Sequence, residues 1–577
     1  MMIDSVRKNL VWIEVIGLTI GLILIIFRNL IPYSHSYLFD WHDYPLYVWI
    51  IYQNISHLQS LSLTTFFNGN IFFPLTSTML FSDLFLPQSL FGLILSKLSD
   101  QPILVFNTIF FLTWILNAAA AVYFWKKLFQ AEHLVFFASI TTVFSAFIFH
   151  NWVHFQILSL WPFLITLAWF YKHQLSISQA VIGGVLLSLC LSASVYLWVI
   201  LLTCLSVYWL LLLVKAPNKI KMVKRFAVTA VVSLILSAPI ILGYLQVRIN
   251  YQARRDYREY IIYAAQPNDY LFPVHLSSLI GSFPLVHKWA GLSSNAGFFP
   301  GMVMAILGLV GLFSKLSQLK LISYKKQLTL SKVNFFGSSG YFLVLACLGF
   351  LFSLGPRLSF NGQYIGWPLP YLVLLKFLPP FEIIRVTQRW SLLFFLGLSY
   401  FAALGLKRIA HHQAWLLTGS LVLLYCAELI PLGAAFRSFN YYPAAYLPIA
   451  QVCQQQKVNL LEYPLTQFVD GVNISTNLTY RTAIMLASVN HGCDITNGYS
   501  GFIPREYQDF EEKLSSAVEE KDQVRFINLL SGRQVRIFKL NKNDLFADRV
   551  ELIKTWLKDD QKLKVLFEDS NYLVVVF

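Results

Sequence analysis

VWIEVIGLTIGLILIIFRNLIPYSHSYLFDWHDYP, residues 11–45, sets a long apolar run directly before a pair of carboxylates. At 1.5 Å per helical residue, the stretch 11–31 is long enough to cross roughly 30 Å of bilayer hydrocarbon. No cleavage-site pattern follows it, so it reads as a retained signal anchor. Asp40 and Asp43 then fall where the chain leaves the apolar phase. Carboxylates at an aromatic-rich membrane boundary are costly unless they are solvated or used.

The rest of the chain repeats the apolar theme. Of 577 residues, 56% are hydrophobic and 13% charged, and the mean hydropathy is +0.59. Water-soluble chains carry about 25% charged residues, so lipid is the natural solvent for the excess apolar surface. The 49 Phe, 29 Tyr and 15 Trp suit both the apolar interior and the headgroup belts. The net charge of +15 raises a nucleic-acid reading. The bases, however, sit in short segments between apolar runs: Arg7 and Lys8, Lys126 and Lys127, Lys172, the 215–225 cluster, the 315–332 cluster, and Lys407 with Arg408. That is the positive-inside pattern of cytoplasmic loops, and no basic stripe with stacking aromatics argues for nucleic acid.

The expected fold is a polytopic α-helical membrane protein of about eleven transmembrane helices, with a small extracytoplasmic α/β domain at the C-terminal end. Spans are expected at 11–31, 104–125, 134–150, 155–171, 178–195, 196–214, 226–246, 297–314, 338–354, 389–406 and 413–431. The pair 178–195 and 196–214 is barely separated by polar residues. Basic loops inside give a cytoplasmic N-terminus in the plasma (inner) membrane and long outer segments at 32–103, 247–296 and 355–388. Residues 1–434 then form the transmembrane domain. From 435 the composition changes: strand-like runs at 458–465, 535–540 and 563–577 alternate with helix-like stretches at 505–530 and 546–558. Cys453 and Cys493 both lie in this tail, where a disulfide is permitted if the tail is extracytoplasmic.

Candidate chemistry concentrates in the outer segments. One of Asp40 and Asp43 could take a proton from an acceptor hydroxyl while the other positions it or holds a divalent metal such as Mg or Mn. The alternative is a helix-start cap beside an ordinary wet loop. His42 and His57 are candidate phosphate donors, acids or metal ligands, or plain surface residues. Asp83 is a second acidic candidate or a turn residue. Arg385 and Arg389 stand four apart at the mouth of span 389–406, on one helical face if that turn is helical. They suit phosphate because the guanidinium fork grips two oxygens and keeps its charge; the alternative is snorkelling to lipid headgroups. Arg254, Arg255 and Arg258 form another basic run. In the tail, His491, Asn497, Tyr499 and Ser500 surround the NGYSGF turn, a candidate acceptor-side loop or simply a joint between strand and helix. The triplets at Asn473 and Asn477 match glycosylation acceptors.

Several segments, in order, carry a resemblance: DWHDYPLYVW at 40–49, NGNIFFPLTSTMLFSD at 68–83, YAAQPNDYLFP at 263–273, FFPG at 298–301, LGP at 354–356, LPY at 369–371, IRVTQRW at 384–390 and NGYSGFIP at 497–504. Together they resemble the GT-C superfamily of integral-membrane glycosyltransferases, in a bacterial branch of it. The resemblance implies a polyprenyl-phosphate sugar donor used on the outer face and inverting transfer to a glycan, lipid or protein acceptor. It also implies a catalytic base in the first outer segment, a role falling on Asp43 in preference to Asp40. Where related chains tend to carry Glu ahead of FFPG, this chain has Asn295. Two other classes stand beside the enzyme. A transporter or flippase of a lipid-linked sugar would use intramembrane charges, for which Glu14 and Glu428 are the candidates. A non-catalytic scaffold would keep the fold alone.

Overall fold

Helices dominate the computed structural model, which describes residues 2–62, 64–171, 176–215, 219–271, 279–280, 283–285, 297–325, 337–410, 413–431, 441–465, 474–558 and 563–577. Asn295, Asn473 and the basic residues Lys172, Lys326 and Lys332 lie outside these described residues.

Six helices among the described residues are long and apolar enough to cross a bilayer: Asn9–Ile26, Pro102–Lys126, Glu132–Asn151, Val195–Val214, Lys219–Asn250 and Thr387–Ile409. Five further expected spans fall on apolar helices of 10–17 residues, namely Phe155–Phe170, Ile177–Ala193, Met302–Ser317, Ser338–Ser353 and Ala414–Leu429. Length and composition thus establish six crossings, and the count of eleven belongs to the proposal below. The poorly separated pair divides at Ser194, which is extended (φ −160°, ψ 120°) and whose hydroxyl accepts the Leu197 N–H at 3.3 Å.

Contacts divide the chain into two compact units. The first comprises residues 1–32, 110–238 and 255–434. Its helices Met302–Lys325 and Ser391–Ile409 approach backbone to backbone, since a Cβ on Gly311 would meet Phe401 O at 2.0 Å and one on Gly405 would meet Leu307 O at 2.0 Å. Small residues serve this purpose in membranes, where close packing replaces the hydrophobic drive. Phe342 stacks between Tyr400 (4.4 Å) and Trp125 (5.9 Å). The segment 355–388 folds as strands β1 (Arg357–Phe360) and β2 (Gln363–Pro368), an antiparallel hairpin, followed by the helix Pro370–Phe377.

The second unit gathers residues 33–109 and 239–254 together with 435–577. Its sheet holds β3 (Asn459–Tyr463), β4 (Asp494–Ile495), β5 (Val535–Asn541), β6 (Lys564–Glu568) and β7 (Tyr572–Val576) in the order β4-β3-β5-β7-β6. β3 pairs in parallel with β4 and β5, while β7 runs antiparallel to β5 and β6. Leu461, Phe510, Leu514, Phe526, Phe538 and Ile553 form the core beneath it. The expected helix 505–530 is two helices, Arg505–Glu519 and Gln523–Gly532. Asp522 caps the second by accepting the Arg525 N–H, after Lys521 turns through φ +56°. Cys453 and Cys493 are bridged, with Cα atoms 5.2 Å apart.

The segment after the first span completes this sheet. Asn70 O accepts the Ile495 N–H at 2.7 Å, Phe73 N donates to Ile495 O at 3.0 Å, and Phe72 N donates to Asn497 O at 3.1 Å. The backbone at 70–73 therefore covers the open edge of β4, which would otherwise leave polar groups unpaired. The Asn70 side chain gathers the surroundings. Its oxygen accepts Trp49 Nε1 (2.8 Å) and Gln53 Nε2 (3.0 Å), and its amide donates to Cys493 O (2.7 Å). Gly498 lies so close that a Cβ there would sit 2.7 Å from the Phe72 ring.

Leaving these buried donors without an acceptor costs about 1–3 kcal/mol each. Asn70→Ala is expected to lower the stability of the detergent-solubilised protein by about 2–4 kcal/mol in thermal melts. Gln53→Ala, which removes one donor and orphans nothing, is expected to cost under about 1.5 kcal/mol.

Candidate functional site

The acidic motif lies in the second unit, and its two carboxylates divide the work. Asp40 Oδ2 accepts the backbone N–H of His42 (3.2 Å) and of Asp43 (2.8 Å), while Oδ1 lies 2.8 Å from His42 Nδ1. Asp40 thus closes the turn that launches the helix Tyr44–Gln59. Asp43 occupies the N-cap position of that helix without making a side-chain cap hydrogen bond. Its Oδ2 instead accepts the Tyr47 hydroxyl at 3.2 Å, and the positive end of the helix dipole favours its ionised form. Tyr44, beneath them, is fully buried. Burial, then the charges of Asp40 and Asp43, push its hydroxyl well above the usual phenol range, so it is no proton source.

A divalent ion does not fit this pair, because Asp40 already serves two backbone N–H groups and an imidazole. Among the described residues no group of three or more His, Cys, Asp or Glu is arranged to hold a metal. His42 pairs with Asp40. His57 Nε2 donates to Asn68 O at 2.8 Å; burial lowers its pKa, with the Asn68 bond opposing. His57 therefore anchors the 68–70 turn. Asp83 is 6% exposed; its neighbours Ser82 O and Leu84 O accept Tyr244 Oη (2.8 Å) and Asn54 Nδ2 (2.6 Å).

The tail residues expected around an acceptor loop face inward. Asn497 clamps β3, its oxygen accepting the Glu462 N–H (2.8 Å) and its amide donating to Glu462 O (2.9 Å). Ser500 is buried, and Tyr499 N donates to the Met485 sulfur. The His491 ring stacks on Tyr446 (5.3 Å), and its Nδ1 accepts the Cys493 N–H at 3.2 Å. These residues hold the unit together, which is the joint reading of the NGYSGF turn. Beside them lies a buried network with no signature in local sequence: Lys539 Nζ meets Glu462 Oε2 at 2.6 Å, and Tyr446 Oη donates to Glu462 Oε1 at 2.7 Å.

The arginines belong to the first unit. Arg385 and Arg389 do not share a helical face, because Ile384 (ψ 75°) and Val386 (ψ 82°) are not helical and a 3-10 turn, Thr387–Trp390, intervenes. Arg385 Nη1 lies 3.3 Å from Glu259 Oε1, in the former basic run. Arg389 differs. It is 3% exposed, and its guanidinium carbon sits 4.3 Å from the centroid of the Tyr196 ring. Among the described residues that ring is the partner it has, with no carboxylate. The adjacent Gln388 Nε2 lies 3.0 Å from His150 Nε2.

No family model matches this sequence, and no curated protein does. Among solved structures, the cryo-EM structure of the arabinofuranosyltransferase AftD from mycobacteria matches 98% of this chain and 40% of its own, at 13% identity and a TM-score of 0.56. The chain has a GT-C-like fold. It spans 40% of the length of AftD. AglB, an oligosaccharyltransferase from Archaeoglobus fulgidus solved with an inhibitory peptide and a dolichol-phosphate, matches at 12% identity over 97% of this chain and 72% of its own, with a TM-score of 0.46. ArnT from Cupriavidus metallidurans bound to undecaprenyl phosphate matches at 12% over 93% and 97%, with a TM-score of 0.35. At those two scores neither adds to the argument. In this GT-C-like chain the acidic motif starts the helix Tyr44–Gln59, and the arginines precede the helix Ser391–Ile409.

Burial, and then the Lys539 ammonium, push the His491 pKa down to about 3. The unfolded chain takes this proton near pH 6.5, so the stability His491 contributes is full above about 6.5 and falls as the pH drops toward 3. The slope is about 1.4 kcal/mol per pH unit. Thermal melts between pH 7 and pH 4 are expected to show a shallower loss for His491→Asn than for the parent chain.

Proposed function

We propose that this protein is an inverting glycosyltransferase of the plasma (inner) membrane, taking a sugar from a polyprenyl-phosphate donor on the outer face. The acceptor is an extracytoplasmic glycan, lipid or protein. With the five shorter apolar helices counted as crossings, the chain has about eleven spans, a cytoplasmic N-terminus and an extracytoplasmic tail. One observation carries the reading: a guanidinium, Arg389, almost wholly buried against an aromatic face and facing no carboxylate among the described residues. A buried cation is stable only with a compensating anion, and a lipid phosphate is the anion that a membrane bundle meets. The GT-C-like fold, shared with a protein that transfers arabinofuranose, supports the same class.

In this reading the acceptor hydroxyl attacks the anomeric carbon of the donor sugar. The bond from that carbon to the phosphate oxygen breaks, and the polyprenyl phosphate leaves with the electron pair. Asp43 takes the acceptor proton; Asp40 holds the turn that aims it. Arg389 meets the charge growing on the phosphate in a water-poor site, where such stabilisation is strongest. Arg385, already balanced by Glu259, contributes less. No step needs a metal.

The transporter reading loses one of its charges: Glu428 Oε2 accepts the Val303 N–H at 3.3 Å, capping the start of the helix Met302–Lys325.

Transfer in isolated membranes is expected to fall about 10²–10⁴-fold in Asp43→Asn and about 10²–10³-fold in Arg389→Ala, with Arg385→Ala affected less than Arg389→Ala. Polyprenyl phosphate should raise the melting temperature of the parent chain and not of Arg389→Ala. Normal product from Asp43→Asn would refute the assigned base, and equal stabilisation of Arg389→Ala would refute the assigned phosphate site.

A further inference from the structure

The segment 357–378 turns apolar side chains outward where no helix of the first unit covers them. Phe360, Tyr364, Ile365 and Trp367 on the β1–β2 hairpin are 48%, 59%, 43% and 68% exposed, and Phe377 and Leu378 beyond it are 67% and 44% exposed. A two-stranded hairpin does not bury such a set by itself. Its position is nonetheless fixed. Asn361 and Gly362 turn the hairpin with positive φ. Their N–H groups donate to Asn268 Oδ1 (3.3 Å) and Gln266 Oε1 (2.9 Å). The following helix is pinned by fully buried Tyr371, whose hydroxyl donates to Phe381 O at 2.9 Å.

The ends of the segment show what covers it. The chain leaves the helix Ser338–Ser353 and returns in the helix Ser391–Ile409, and these two pack together, with Phe352 and Trp390 in contact at 5.4 Å. The excursion therefore begins and ends at one end of an apolar helix pair, at the depth where Trp and Tyr collect in membranes. The two charged residues in 357–378, Arg357 and Lys376, are both basic, as suits anionic headgroups. We infer that the β1–β2 hairpin and the helix Pro370–Phe377 form an interfacial lipid-binding surface, lying in the headgroup–acyl boundary instead of water. The inference does not depend on the proposed enzymatic activity.

The test uses the full chain in nanodiscs containing anionic lipid, with the four free cysteines replaced and the Cys453–Cys493 bridge kept. A nitroxide is placed through Trp367→Cys or Phe377→Cys, with Val524→Cys, 71% exposed in the second unit, as the water reference. Dissolved oxygen should outcompete a nickel chelate at 367 and 377 by several-fold relative to 524. Chelate access equal to that at 524 would overturn the inference, and so would exclusion of both probes, which would mean that protein covers the face. Quenching by brominated lipid reads the same surface without a label: the parent chain should lose a fluorescence component that Trp367→Phe lacks. Identical quenching of the two would also overturn it.

Discussion

A guanidinium cannot be taken out of water alone. Removing a full charge to a low-dielectric interior is unfavourable by several kcal/mol even after relaxation, and an aromatic face returns only about 0.5–2 kcal/mol of that. Arg389 stands in this position, 3% exposed against Tyr196. Arg385, four residues earlier, does not, because Glu259 balances it. The contrast separates a structural ion pair from a receptor, although the two side chains have the same chemistry. The anion that completes Arg389 must be stable at a membrane boundary, and a lipid phosphate meets that condition.

The second unit follows from backbone satisfaction. Residues 70–73 close the edge of β4, and Asn70 gathers donors from the helix Tyr44–Gln59 and gives one back to Cys493 O. The helix that Asp43 starts is thereby held in the same unit as the C-terminal sheet, as is Trp41, whose carbonyl accepts Thr482 Oγ1 at 3.2 Å. The position of a candidate base is thus set by residues more than four hundred positions away in sequence.

Much of the architecture was legible because it rests on local periodicity. Apolar runs located the helices, and alternating runs located β3, β5, β6 and β7. The break at Ser194 was marked by little more than a small polar residue between two apolar stretches. The hairpin at 357–368 had a readable sign, Asn361-Gly362 between apolar flanks, which a search for spans passes over. Other features had none. NGN at 68–70 and NGYSG at 497–501 each stand out, but only the fold pairs them. Spacing likewise does not divide labour between Asp40 and Asp43, since that depends on which carboxylate the local turn consumes. Burial of Arg389 and engagement of Arg385 by Glu259 are long-range outcomes, and two arginines four apart suggest a shared face that the non-helical Ile384 and Val386 deny.

The most direct test is a density map of the protein in a lipid nanodisc with a polyprenyl phosphate added. The account predicts phosphate density within hydrogen-bonding distance, about 3 Å, of the Arg389 guanidinium. Phosphate bound elsewhere, or Arg389 paired with a protein carboxylate while the lipid is bound, would contradict it.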